Sequence, residues 1–309
     1  MLDITAVGEI LIDLTQTGVN AVGVPEFAAN PGGAPANVAV AAARLGADTA
    51  FIGRVGADGF GRFLESVLRE NGVDTQGLVS DPDALTTMAV VTLTAEGERS
   101  FSFYRDNTAD VRLSCEDIRL PETKLLHFGS VSLTAEPSRS ATLYAAQQAK
   151  AAGALVSYDP NYRANLWHSE AEAVEQMKRP LPLVDILKVS DEELPLLTGI
   201  SDPEAGSAAL AAYGIPLVLV TLGADGAFFR FGDVTGSVPG FRVKVADTNG
   251  AGDTFLAAVV TRITRRGGLD GLDRRELTDI VTYANKAASV TTSRSGAIPA
   301  MPTADEIVL

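Results

Sequence analysis

Short apolar runs alternate along the chain with longer segments whose apolar residues recur every three or four positions. The runs Ile4–Leu14, Thr49–Val55, Leu125–Ser130, Ala154–Tyr158, Ile186–Val189 and Leu217–Thr221 read as strands. The segments Ala36–Leu45, Phe60–Asn71, Pro137–Ala152, Asp202–Tyr213, Thr254–Arg266 and Glu276–Ser293 read as helices. Strands this apolar, separated by helices, predict a mostly parallel sheet covered on both faces, an α/β fold. Ligands of such sheets bind beyond the carboxyl ends of the strands.

The rhythm breaks twice. Leu11–Ala29 carries the first strand on into a segment with Gly18, Gly23 and Pro25. Thr86–Thr94 and Arg99–Tyr104 alternate in side-chain type around Glu96-Gly97, which predicts a hairpin with no helix between its strands. Together these stretches, about 11–29 and about 86–106, predict a small antiparallel sheet projecting as a lid from one principal domain spanning 1–309. In the hairpin, Phe101 and Phe103 are expected to form lid core.

Composition narrows the chemistry. With 46% hydrophobic residues in 309, a large core can be buried, and no run approaches the roughly 20 apolar residues of a membrane span. The start, MLDITAVGEILIDL, reads as a strand rather than a signal peptide. One cysteine, Cys115, excludes an intrachain disulfide, and two histidines leave little for a zinc site. A formal charge of −14 argues against a nucleic-acid surface. These features predict a cytoplasmic protein with neither nucleic-acid nor membrane partners.

Two glycine-rich turns stand out. Asp247–Phe255, DTNGAGDTF, lies between an expected strand, Gly240–Val245, and a helix. A small-residue turn at a helix start aims backbone N–H groups and the positive end of the helix dipole at one point, which is an anion site. An acid in that turn, Asp253, would repel the anion, so the carboxylate either takes a proton from a hydroxyl during group transfer or is an ordinary first-turn acid. The second turn, Pro31–Asn37, PGGAPAN, leads into an Ala-rich helix and is neither GxxxxGK[ST] nor GxGxxG. Its glycines permit close approach of backbone to a ligand or simply tight packing.

The two turns, in this order and separation, resemble the signatures of the ribokinase-like (PfkB) sugar kinases. GERSFSFYR, HFGSVSLTAEPSRS through AGALVSYDPNYRANLW, KVSDEELPLLTG and TTSRSGAIPAMP look most like the fructokinases of that family. The resemblance implies a Rossmann-like three-layer α/β/α fold with a β-sheet lid, and phosphoryl transfer from ATP to a sugar hydroxyl. It assigns Asp253 as base and Gly250, Ala251 and Gly252 as the anion hole. Asp13, Gly32, Gly33, Asn37, Tyr104, Arg105, Asn161 and Arg163 would hold the sugar. Lys188, Ser190, Thr221, Gly223, Gly226 and Asn285 would meet the nucleotide. Glu193 would order Mg²⁺ and its waters, with Ser190 standing where the family has Asn. Asp247 and carbonyls at Asn249, Thr291, Arg294 and Gly296 match a monovalent-cation site. Ala300 replaces a usual hydroxyl there, which leaves K⁺ open.

The resemblance implies a sugar primary hydroxyl as acceptor, fructose before 2-keto-3-deoxygluconate, whose carboxylate would need Arg105 or Arg163. A non-catalytic sugar sensor on the same fold is the reading from another class; intact GAG and Asp253 weigh against it. An exposed lid edge predicts a homodimer through the lid.

Overall fold

The computed structural model describes residues 1–93 and 99–309. The chain opens with β1 (Leu2–Val7), β2 (Leu11–Val19), β3 (Pro25–Gly32), α1 (Ala34–Arg44), β4 (Thr49–Gly56), α2 (Gly59–Glu70) and β5 (Val73–Asp81). It continues with β6 (Met88–Leu93), β7 (Arg99–Tyr104), β8 (Thr123–Gly129), α3 (Ser138–Ala151), β9 (Leu155–Asp159) and α4 (Glu170–Lys178). Then follow β10 (Ile186–Ser190), α5 (Glu193–Thr198), α6 (Pro203–Ala211), β11 (Leu217–Thr221), β12 (Ala227–Phe231), β13 (Val234–Val238), α7 (Ala251–Arg266) and α8 (Arg274–Thr292).

Among the described residues, nine strands form the main sheet in the order β13-β12-β11-β10-β9-β8-β1-β4-β5. Pairing is parallel from β11 to β5, and the edge pairs β11–β12 and β12–β13 are antiparallel. Successive strand residues enter opposite cores, which is why these strands are apolar throughout. Leu125, Ile186 and Leu217 pack with α1, α7 and α8, whereas Leu126, Leu187 and Val218 pack with α3, α4, α5 and α6. No helix among the described residues is long and apolar enough to cross a membrane.

A second sheet, ordered β3-β2-β6-β7, is the lid. β2 pairs antiparallel with β3 and parallel with β6, and β6 pairs antiparallel with β7. The turn expected at Glu96-Gly97 and the side chain of Phe101 lie outside the described residues. Phe103 is half-buried.

Two expected strands change. Ile4–Leu14 is two strands, because the chain leaves the main sheet after Val7 and re-enters pairing in the lid at Leu11. Gly240–Val245 is not a strand. β13 forms the sheet edge before it, and although Phe241, Val243 and Val245 alternate with Arg242 and Lys244, Val243 and Val245 both face solvent. Alternation without a pairing partner does not make a strand. Four helices differ from expectation: α1 begins at Ala34 and α7 at Ala251, each ahead of the apolar run that marks it, and α4 and α5 have no counterpart among the expected segments.

Candidate active site

The candidate site is built where β8, β9, β10 and β11 finish and α7 starts. Gly250 caps α7 with φ +75, a left-handed conformation that glycine adopts without strain, and a Cβ there would lie 3.1 Å from that of Ala297. Thr254 locks the turn: its Oγ1 donates to the Gly250 carbonyl at 2.9 Å and lies 2.9 Å from Thr291 Oγ1 on α8. The Ala251 N–H makes a long turn bond to Thr248 O, 3.3 Å. The N–H groups of Gly252 and Asp253 belong to the first helical turn, which has no intrahelical acceptor to offer.

Asp253 therefore sits in the first turn of α7 and is 6% exposed. Asn37, in the first turn of α1, donates Nδ2 to Asp253 Oδ2 at 2.8 Å, and Asn161 donates Nδ2 to Oδ1 at 3.3 Å. Burial, reinforced by the nearby Asp159 carboxylate, raises the Asp253 pKa to about 6; the Asn37 bond, Lys188 and Arg163 oppose the shift. An acid poised there is ionised at neutral pH yet still a competent proton acceptor.

Asp13, on β2 of the lid, is partly buried and its pKa is also raised to about 6 by burial, against the pull of Arg163 and a hydrogen bond from Asn249. A methyl group on Gly32 would collide with Asp13 Oδ2. Gly33 has φ +106, and a Cβ there would lie 2.6 Å from the Glu9 carbonyl. The glycine pair thus lets α1 begin directly against the crossover from β1 into the lid. There, Glu9 accepts the Ala34 N–H at 3.1 Å, and burial raises its pKa to about 7. Tyr104, at the end of β7, is 61% exposed. Arg105 is fully engaged: Nε meets Asp110 at 2.6 Å, Nη1 Thr134 Oγ1 at 2.5 Å and Nη2 Val131 O at 3.0 Å. Arg163 is exposed and bonds the Tyr162 carbonyl, near enough to Asp13 and Asp253 to influence both.

On the other side of Asp253, Ser190 and Glu193 form a reciprocal cap of α5. Ser190 Oγ accepts the Glu193 N–H at 3.1 Å, and Glu193 Oε2 accepts the Ser190 N–H at 2.8 Å. Glu193 Oε1 accepts the Tyr162 N–H at 2.7 Å. Asn285 Nδ2 donates to the carbonyls of Val238 and Pro239, at 3.1 and 3.2 Å. The turn Thr221–Gly226 closes through Leu222 N–H to Gly226 O at 2.8 Å, with Gly223 in its 3-10 turn and Gly226 packed against the Val238 carbonyl and the Gly240 nitrogen. Asp247 accepts N–H groups of Asn249 and Gly296, at 3.0 and 3.1 Å. Nearby, Arg294 pairs with Glu306, and Thr291 is wholly buried. Among the described residues no three His, Cys, Asp or Glu side chains converge on one metal position.

The turn, its buried acid and the lid above it carry the two signatures read from the chain, and the family model for pfkB family carbohydrate kinases matches residues 1–304. The chain belongs to this family. Fructokinase-1 of Zea mays is 44% identical over 99% of this chain and 96% of its own length. A crystal structure of fructokinase with bound ATP from Xylella fastidiosa superposes with a TM-score of 0.91 at 34% identity, covering 99% of this chain and 96% of the other. That of fructokinase from Vibrio cholerae O395 in fructose, ADP and calcium ion bound form gives 0.89 at 37%, covering 99% and 98%.

The pfkB family signatures do not account for one buried pair. Asp159, 1% exposed, meets Lys188 Nζ at 3.0 Å. Sequence reasoning left Asp159 without a role. The signal was present, since β9 and β10 are apolar strands each carrying one charge near the carboxyl end. Reading it required the register, in which Leu187 lies opposite Tyr158 and so sets Lys188 beside Asp159. Burial acts to discharge Lys188, but Asp159 and Glu193 outweigh it and hold its pKa above the ordinary lysine value.

Proposed function

We propose that this pfkB family kinase transfers a phosphoryl group from ATP to the primary hydroxyl of D-fructose, forming fructose 6-phosphate, with Asp253 as base. The observation that carries this reading is a buried acid in the first turn of α7, held at both oxygens by Asn37 and Asn161. Its neighbours are first-turn N–H donors on one side and the Lys188 ammonium on the other; a methyl on Gly252 would lie 3.2 Å from Lys188 Nζ. Negative charge developing on the transferring group meets fixed donors there, while Asp253 removes the hydroxyl proton in line. Asp13 accepts sugar hydroxyls from the lid side, and Gly32, Gly33, Asn161, Arg163 and Tyr104 border the same space. The lid excludes water that would hydrolyse ATP. The relatives' fructose and nucleotide ligands support the assignment.

Mg²⁺ bound with ATP would supply neutralisation of the phosphate charge. The donor set fits an ion carried mainly by phosphate and water, because both Glu193 oxygens accept backbone N–H groups and, among the described residues, no acidic cluster forms a cage. Glu193 would act by orienting those waters. The Asp247 carboxylate, which accepts the Asn249 and Gly296 N–H groups, would with carbonyls of Asn249, Thr291, Arg294 and Gly296 make an oxygen set of the kind that suits K⁺. Thr221, Gly223, Gly226 and Asn285 shape the nucleotide side, Asn285 by fixing the chain after β13. The exposed Cys115 thiol suits a reducing, cytoplasmic compartment. The lid exposes Val19, Val22, Val24 and Phe27 near an apolar hollow lined by Phe60, Phe63, Leu85 and Met88. A second copy of the chain covers this face in a homodimer.

A sugar-acid acceptor is less well supported: the relatives named above are fructokinases, and of the two candidate arginines Arg105 spends its guanidinium on Asp110, Thr134 and Val131, leaving Arg163 for a carboxylate. ADP release measured with fructose, 2-keto-3-deoxygluconate, ribose and adenosine tests the reading. Fructose-dependent turnover is expected; turnover only with the keto-acid would reassign the acceptor.

A further inference from the structure

We propose that Asp159 is a positioning residue for this phosphoryl transfer, one oxygen seating Lys188 against the anion-binding turn and the other seating the Asn161 loop that orients Asp253. The inference rests on the function proposed above and adds a part to it. Asp159 ends β9 and is 1% exposed. Its Oδ2 lies 3.0 Å from Lys188 Nζ, and its Oδ1 accepts the Asn161 N–H at 3.1 Å. Asn161 holds φ +46, an unusual conformation for a residue with a side chain, and from it extends Nδ2 to Asp253. One carboxylate thus commands both the cation and the amide that flank the base.

Stability alone does not explain the pair. Lys188 and Asp159 lie at the carboxyl ends of otherwise apolar strands, and a buried ion pair is commonly no more stabilising than apolar residues of its size. What the pair supplies is a fixed ammonium, 3.2 Å from where a Gly252 methyl would stand. A free lysine on a flexible stem would have to be ordered during the reaction; this one is ordered beforehand. Charges reach Asp253 from several elements: Asp159 on β9, Lys188 on β10, Arg163 after β9 and Asp13 on β2. Glu193 on α5 acts on Lys188.

A four-member cycle of wild type, Asp159→Asn, Lys188→Met and the double variant tests the proposal through kcat, both KM values, the acid limb of kcat/KM and thermal melting. Asn at 159 keeps an oxygen for the Asn161 N–H and removes only the charge. Each single variant is expected to lose about tenfold or more in kcat, with KM for fructose changed less than about threefold. The double variant is expected within about threefold of Lys188→Met, because Asp159 acts through the lysine. The acid limb of Asp159→Asn moves to lower pH, since the carboxylate that repels ionised Asp253 is gone; a packing defect would not move it. Multiplying losses, wild-type kcat in Asp159→Asn, or an unmoved limb would overturn the proposal. Should Asp159→Asn not fold, the double variant has no lone buried charge, and its rate against Lys188→Met decides. Asp253→Asn run alongside separates the two ideas. If it is inactive while Asp159→Asn is unimpaired, only the positioning role falls; if it is active, the base assignment falls and the cycle still reads the Asp159–Lys188 coupling.

Discussion

The main sheet and the lid handle polar groups in opposite ways. At the end of the main sheet every charged group of the site has protein partners: Asp253 has Asn37 and Asn161, Asp159 has Lys188 and Asn161, and Glu193 has two backbone N–H groups. The lid carries Asp13, partly buried with a raised pKa, and Tyr104 in solvent, on a sheet that also exposes Val22 and Phe27. The acids at the end of the main sheet are held from several sides by the protein, whereas Asp13 on the lid has Asn249 and Arg163 nearby, and under the proposed function sugar and a second copy would supply the lid's further partners. Catalytic power should therefore follow the main sheet, and sugar affinity the lid.

The largest break expected in that contrast is at Asp253. Asp253→Asn should lower kcat about 10²–10⁴-fold, with KM for fructose little changed and the fold intact by circular dichroism. Asp13→Asn should act the other way, raising KM for fructose about 10–100-fold with a smaller effect on kcat, as measured by steady-state assays.

Stability should separate the regions next. The Asp253 pKa is raised from 3.8 to about 6 in the folded state, so its proton stabilises the fold fully below pH 3.8, and this contribution is lost as pH rises through 6. Asp253→Asn, which cannot ionise, should be more stable than wild type at pH 8 by on the order of 1–3 kcal/mol, an advantage that shrinks toward pH 4. Chemical denaturation at both pH values checks the sign. The smallest effect is expected at the lid surface: Phe27→Asp should shift sedimentation toward monomer and raise KM for fructose about two- to fivefold, leaving kcat near wild type.

What the chain revealed in advance follows the same division. Parallel strands buried on both faces announce themselves as apolar runs, and the glycine turns located α1, α7 and Asp253. The partnership of Asn37 with Asp253 spans 216 positions, so no local pattern holds it. Asp159 and Lys188 became a pair only through the register of β9 on β10. Ser190-Asp191-Glu192-Glu193 resembles a metal-ordering element, and the structure shows its Ser190 and Glu193 bonded reciprocally as a helix cap, which the letters alone do not distinguish from the first reading. Gly240–Val245 misled because alternation is local and a pairing partner is not.

The most direct test of the central claim is the pH dependence of kcat/KM for fructose in wild type and in Asp13→Asn. If Asp253 is the base, Asp13→Asn should lose activity about tenfold per pH unit below about 6, and wild type, in which Asp13 takes up a proton in the same range, at least that steeply. A folded enzyme whose kcat/KM stays flat from about pH 8 down to about pH 5 would contradict it.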